Sequence, residues 1–409
     1  MKLKVLFINH SVRDGGPGRS LFYILKYIDR ESIEPHILIP KDDLFSEDLK
    51  SEDLYSNVII DCRFPENIQR PRVETKALNN LKNRCNLVSQ LAKIISIIVN
   101  IIDIIFLIQN SSQILKKNGI DVIYCNGTIA KIVGAFMGKK NNTKVIWHVR
   151  NIQQTKFLSF VIKRLSKFKC VKKIICVSNA AAAQFDEVID KVHVVYNGLD
   201  PSDFSKSGVK ELLRSEYDIP PETIVIGNTG RVVKRKGYKD FINIAKQILD
   251  ESDYENKVKF VIVGDTPYFF PINHLNELKE YAKKLGIEEN FIFTGYKKDV
   301  KPYLKDFDIF VIPSNYPDPF PRSLIEAMSF SLPVIGFRIG GIAEAIEEGK
   351  SGFLCEKDGF SKMKNHIQTL INNEDLRKKM GRNARSRVLK MYSAEDRTKD
   401  IQEIILELS

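Results

Sequence analysis

Arg231 and Lys236 lie five residues apart in "GNTGRVVKRKG" (Gly227 to Gly237), behind an apolar run and ahead of a helical pattern that begins near Tyr238. Two cations bracketing a short loop at a helix N-terminus form an anion site, because side-chain charge and free amides converge on one place; a diphosphate suits it. Gly230 lets the backbone turn closely after the strand. Further along, "PSNYPDPFPRSLIEAMSFSLPVIG" (Pro313 to Gly336) holds Asp318 and Glu326 with seven residues between them. The "PDPFP" portion cannot be helical, whereas "RSLIEAM" can, which puts Glu326 on a helix where its carboxylate can accept two hydrogen bonds from a vicinal diol such as a ribose. The backbone from Phe320 through Pro321, Arg322, Ser323 and Leu324 can face phosphate or sugar hydroxyls. Gly264, at the end of the next strand, is expected to border the same crevice, and the segment Tyr296 to Lys298 can read a nucleobase edge.

Strand–helix alternation must position these groups. Apolar runs at Val5–Asn9, His36–Pro40, Val58–Asp61, Val122–Cys125, Val145–Val149, Lys173–Val177 and Val192–Tyr196 read as strands. After a polar break the pattern restarts at Ile224–Thr229, Val258–Val263, Phe291–Thr294, Ile309–Pro313, Pro333–Gly336 and Gly352–Cys355. Many are continuous Val/Ile runs, the signature of parallel strands covered on both faces. The chain of 409 residues exceeds what a single core usually spans, so two α/β layers are expected, divided near residue 205 in the turn-rich segment 197–221. The expected division is 1–204, 205–390 and a terminal helix over 391–409, with Ser393 as its N-cap.

Charged residues make up 28% and apolar ones 43% of the chain, which excludes a disordered chain. The formal net charge of +12 suits nucleic acid, anionic lipid or phosphorylated small molecules, but no RNA-binding aromatic motif or zinc-finger spacing accompanies it. The six cysteines form no C-x-x-C pair and read as reduced thiols. With no export-signal pattern at the start, a cytoplasmic protein is expected. "DFD" (Asp306 to Asp308) mimics a metal-binding D-x-D but leads straight into a strand; no metal is expected.

"LAKIISIIVNIIDIIFLIQ" (Leu91 to Gln109) is almost wholly Ile, Leu, Val and Phe, interrupted by Ser96, Asn100 and Asp103. Three readings stay open: a helix buried against the first sheet, a helix lying on a membrane, and a span. Lys82, Arg84, Lys93, Lys116 and Lys117 flank it and can hold lipid headgroups, which leads to an expected peripheral contact with an anionic membrane on the cytoplasmic side.

Taken in order, "DGGPGRS", "VSNAAAAQF", "VVYNGLD", "GRVVKRKG", "PSNYPDPFPRSLIEAM", "GGIAE" and "GKSGFL" make the chain resemble the retaining GT-B glycosyltransferases of the group-1, glycogen-synthase-like class. The resemblance implies two Rossmann-like domains facing across a cleft, an N-terminal one for the acceptor and a C-terminal one for the nucleotide-sugar, with a C-terminal helix crossing back. It places the family's diphosphate-gripping Arg and Lys on Arg231 and Lys236, its ribose-binding acid on Glu326, and the first acid of its E-x7-E motif on Asp318, one methylene shorter than the family's Glu. Pro321 stands where the family often has Gly and removes an amide donor. His148, ending a strand in "IWHVRN", falls where the family has a histidine near the reacting sugar, and Arg150 is placed to hold phosphate or acceptor. Gly15 and Gly16 let the backbone approach the donor phosphates or the acceptor, with Ser20 and a helix starting near Leu21 behind them. The resemblance implies metal-independent, retaining sugar transfer to a glycan or lipid-linked acceptor in cell-surface polysaccharide synthesis. A nucleotide-sugar epimerase of GT-B fold and a basic nucleic-acid-binding protein remain as alternatives.

Overall fold

The structure is a computed structural model; it describes residues 2–10, 16–69, 86–204, 208–251, 253–267 and 272–409, with residues 86–88 as backbone only. The chain forms two compact units, Met1–Gly198 with Ala394–Ser409, and Leu199–Ser393. The first unit thus ends at Gly198, where the sequence reading put the break at residue 205.

All thirteen expected strands form. The first unit contains β1 (Leu3–Asn9), β2 (Ile33–Ile39), β3 (Val58–Ile60), β4 (Val122–Asn126), β5 (Lys144–Val149), β6 (Val171–Cys176) and β7 (Val192–Val194). They form one sheet in the order β3-β2-β1-β4-β5-β6-β7, every neighbouring pair parallel. The second unit holds β8 (Ile224–Thr229), β9 (Val258–Val263), β10 (Phe291–Gly295), β11 (Ile309–Ile312), β12 (Val334–Phe337) and β13 (Gly352–Cys355), ordered β10-β9-β8-β11-β12-β13 and again parallel throughout. Both orders reverse direction once, at β1/β4 and at β8/β11. Ligands of such sheets sit outside the carboxyl ends of the strands at that reversal, where the flanking helices run off to opposite faces and leave a gap.

The continuous apolar runs are buried as a parallel sheet requires; every residue of β4 and of β11 is inaccessible. In the second unit Phe241, Phe260 and Phe291 form an aromatic cluster with ring centroids 5.7–5.8 Å apart. In the first, the terminal helix Ala394–Leu406 sends Ile401, Ile404 and Ile405 into the core beside Val5, Phe7 and Leu25. Each such side chain contributes roughly 1.5–3 kcal/mol on burial, enough to make that helix an integral part of the first unit.

The opening glycines differ from expectation. The helix behind β1 spans Gly16–Tyr27 rather than starting near Leu21. Pro17 sits in its first turn, where a missing N–H breaks no hydrogen bond and the fixed φ already suits a helix. Gly16 therefore opens the helix itself. Gly15 lies outside the described residues, as do Lys82 and Arg84.

Candidate functional site

The reversal point of the second sheet gathers most of the expected donor-binding residues. The loop after β8 carries Arg231 and Lys236; the loop after β11 carries Asp318 and runs into the helix Arg322–Ser329 with Glu326. The Lys236 ammonium donates to Asp318 Oδ2 at 2.7 Å, with only 17% and 13% of the two side chains exposed. The guanidinium of Arg235 lies 4.8 Å above the Tyr316 ring, a cation–π contact that ties the same two loops. Arg231 is exposed and interacts electrostatically with Arg235, Asp318 and Tyr316.

Backbone packing sets this geometry. Gly237 has φ +72°, and a Cβ there would lie 1.8 Å from the carbonyl oxygen of Pro313, so only glycine lets the two loops meet. Gly264, at φ +151°, would bring a Cβ to 1.9 Å from the Gly230 carbonyl oxygen; Gly230 in turn donates its N–H to Val263 O at 2.9 Å. Gly264 therefore borders the loop that bears Arg231. The helix Tyr238–Leu249 starts directly behind Lys236 with no side chain capping it, and Arg322–Ser329 is likewise uncapped, with Pro321 at its N-cap. Unspent amide donors at both ends favour negative charge.

Glu326 is buried and lies 3.4 Å from Arg322 Nε one helical turn back. Phe320 and Leu324 are core side chains; Phe320 packs edge-on against Tyr392 with centroids 5.2 Å apart. With these side chains packed in the core, only their backbone atoms are left to face a ligand. Ser323 is half-buried, while Tyr296 and Lys298 are exposed beyond the end of β10.

Asp306 accepts the backbone N–H groups of Leu212 and Arg214, and Asp308 accepts from Val225 N–H and from the Arg214 guanidinium at 3.0 Å. The D-x-D pattern thus fastens the segment around Leu212–Arg214 to the amino ends of the central strands β8 and β11. Among the described residues no cluster of three or more His, Cys, Asp and Glu is placed to hold a metal.

The first unit has its own polar cluster at strand ends. His148 is 2% exposed in β5. Its Nδ1 accepts the Tyr124 hydroxyl and, at 3.2 Å, Arg150 Nη2. With two donors aimed at Nδ1, the proton of the neutral ring resides on Nε2, which is buried with no partner. Burial, then the charges of Arg150 and Lys131, holds the imidazole well below its ordinary pKa and keeps it neutral. Arg150 also donates to Asn126 Oδ1 at 2.5 Å and to Asn197 Oδ1 at 2.7 Å. Asn126 Nδ2 donates to Asn9 Oδ1 at 2.9 Å and to Pro17 O at 3.0 Å, and Ser20 Oγ reaches Asn197. Tyr124, Asn126 and Asn197 were not singled out from the sequence. The signal that marks two of them is an asparagine closing an apolar run, as in "VIYCN" and "VVYN": a polar side chain at a carboxyl strand end.

Two parallel Rossmann-like sheets, each with polar groups at its reversal point, and a terminal helix built into the first unit define the GT-B fold. Two family models divide the chain accordingly. Residues 209–387 match the glycosyl transferases group 1 and residues 14–203 match glycosyltransferase family 4, so the chain belongs with these GT-B glycosyltransferases. It is 25% identical over 293 residues to the N-acetyl-alpha-D-glucosaminyl L-malate synthase of Bacillus anthracis, covering 69% of this chain and 74% of that one. It is 24% identical over 309 residues to the UDP-Gal:alpha-D-GlcNAc-diphosphoundecaprenol alpha-1,3-galactosyltransferase of Escherichia coli, covering 72% and 78%. Among solved structures, Anabaena HepE in complex with UDP superposes with a TM-score of 0.77 at 22% identity, covering 99% of this chain and all of that one.

Proposed function

We propose that this chain transfers a sugar from a nucleotide-sugar to a glycan or lipid-linked acceptor in cell-surface polysaccharide synthesis, with retention at the anomeric carbon and without a metal ion. The observation that carries the reading is the direct contact of the Lys236 loop with the Asp318 loop at the carboxyl ends of β8 and β11. It gathers cations, carboxylates and uncapped helix amides at one reversal point, the chemistry a nucleoside diphosphate and its sugar demand. A UDP-sugar is the first donor to test: the HepE complex holds UDP and the E. coli relative is named for UDP-Gal. The same E. coli enzyme, named for a diphosphoundecaprenol substrate, supports a lipid-linked acceptor.

In this mechanism Arg231 and Lys236, backed by the helix starting at Tyr238, take up the charge that develops on the departing diphosphate. Glu326 accepts from the ribose hydroxyls and Asp318 from the donor sugar. His148 donates from Nε2–H to a sugar oxygen, and Arg150 steadies phosphate or acceptor. The departing phosphate removes the acceptor's proton, so attack on the face it leaves retains configuration. Charge relief rests on these cations, and Asp306 and Asp308 are engaged with backbone amides instead.

The test is a thermal-shift comparison of UDP-, GDP- and ADP-sugars, followed by NMR assignment of the product anomer. One donor should raise the melting temperature, and the product should carry the donor's anomeric configuration. An inverted product sinks the retaining mechanism, and no stabilisation by any nucleotide-sugar sinks the reading.

A further inference from the structure

The apolar stretch forms one helix, Asn86–Asn118, which buries a mixed line and exposes an apolar one. The line facing its own unit contains Ser96, Asn100, Leu107, Ser111 and Leu115, all buried. Asn100 donates to the backbone carbonyl of Ile68 at 2.9 Å, and Ser111 accepts from Asn141 at 2.8 Å. The opposite line exposes Ile94, Ile95, Ile98, Ile102, Ile105 and Phe106, each between 46% and 60% accessible. A core helix of a water-soluble domain shows the reverse, apolar groups inward and polar ones outward. The segment Ser89–Asn118 is long and apolar enough to cross a membrane, with a mean hydropathy of 2.5 over its most apolar stretch, yet only 17% of that stretch is buried.

Charge follows the same elements. Residues 86–173 carry 15 Lys and Arg against two acids, Asp103 and Asp121, whereas the rest of the chain carries 48 against 49. The chain's whole positive excess thus belongs to the segment that holds this helix and the next two, Thr128–Asn141 and Lys156–Ser166. Lys93, Lys116, Lys117, Lys139 and Lys140 are exposed on the first two. On the third, Phe157 is 78% and Phe160 57% exposed, the latter under the guanidinium of Arg164. Exposed aliphatic and aromatic groups bordered by cations complement a bilayer with anionic headgroups, where the apolar groups enter the acyl boundary and the lysines meet phosphates.

We propose that the helix Asn86–Asn118 lies flat in the surface of an anionic lipid bilayer, apolar line downward, and holds the first unit there. It rests on the surface rather than spanning it: the buried Asn100 and Ser111 are hydrogen-bonded to the unit, and Asp103 is half-buried within electrostatic reach of Arg63. This inference stands on the helix and its charge and does not rest on the transferase reading.

The experiment is flotation of the full chain with phosphatidylcholine vesicles, with and without 30% phosphatidylglycerol, at about 0.1 M salt. Wild type should float with the anionic vesicles at least tenfold better than with the neutral ones. The variant I95S/I98S/I102S should lose at least tenfold of that binding while keeping its melting temperature and its thermal shift with UDP, both measured without vesicles. Wild type left at the bottom with anionic vesicles, or the triple variant floating as well as wild type, overturns the proposal. So does a lipid-free dimer that the triple variant dissolves, because a second copy then covers the face. UDP binding without flotation rejects the membrane inference alone; flotation without nucleotide binding rejects the transferase reading alone.

Discussion

Replacing Asp318 with Asn separates two roles that the Lys236 contact combines. In the free protein the Lys236 ammonium is held by Asp318 at 2.7 Å. At that distance two unit charges attract by about 6 kcal/mol with an effective dielectric constant near 20, most of it offset by desolvation. An asparagine oxygen still accepts from Lys236, so the net loss of stability should be about 1–2 kcal/mol, or roughly 2–8 °C for a unit of this size. Ligand binding should move the other way. If Lys236 bridges carboxylate and diphosphate with one short hydrogen bond on each side, the two anions lie about 5.5 Å apart and repel by about 3 kcal/mol per unit charge at that dielectric constant. Removing the carboxylate's charge should therefore tighten UDP binding at least tenfold, while turnover falls because the donor sugar loses an acceptor. Isothermal titration with UDP and steady-state transfer, run on the same preparation, read both quantities. UDP binding that is unchanged or weaker in Asp318→Asn would refute the placement of the diphosphate on Lys236.

Lys236→Ala should lower transfer by about 10²–10³-fold, the usual cost of deleting one preorganised electrostatic donor, and leave a cooperative melting transition; wild-type turnover in this variant contradicts the assignment. Tyr124→Phe removes the hydroxyl that fixes the His148 tautomer while leaving a ring of nearly the same volume. It should lower kcat with donor KM unchanged and add a limb to the pH–rate profile, and an unaltered kcat and profile would leave Tyr124 a packing residue. His148 is neutral in the folded chain but takes a proton near pH 6.5 when unfolded, so stability should fall as pH drops below 6.5, less steeply in His148→Gln, as chemical denaturation at several pH values will show. Burial also pulls the fully enclosed Lys131 from its ordinary 10.5 to about 8. The unfolded chain therefore holds that proton more tightly between those values, and stability rises with pH across them. Lys131→Met should stabilise at pH 7 by up to about 3 kcal/mol, a gain that shrinks to nothing by pH 10.5; equal gains at both pH values would contradict this.

Periodicity alone located every strand, because parallel strands covered on both faces must be apolar along their whole length. Val258–Val263 and Gly352–Cys355 were legible to the residue, whereas β6 begins at Val171, because backbone pairing carries the strand through Lys172 and Lys173, where the apolar pattern is broken. The loop carrying Arg231 and Lys236 was equally visible: glycine, two spaced cations and a helix start are local features. The first glycine loop was read less well, because Pro17 fits either a turn or a first helical turn and only the packed chain chooses between them.

Contacts between residues distant in sequence belong to tertiary structure. The sequence sets Asp318 eight residues before Glu326, but only the meeting of two strand ends brings it to Lys236, 82 positions away. His148 is recognisable as a residue at a strand end, yet its lowered pKa comes first from burial and its protonated Nε2 from Tyr124 and Arg150 converging on Nδ1. For Leu91 to Gln109 the composition settles that a long apolar helix forms. It does not settle which side faces out, because an apolar line and a polar line each satisfy the helix. The hydrogen bonds of Asn100 and Ser111 to the unit, with Leu107 and Leu115 buried on the same line, set that line inward and left the isoleucines outside.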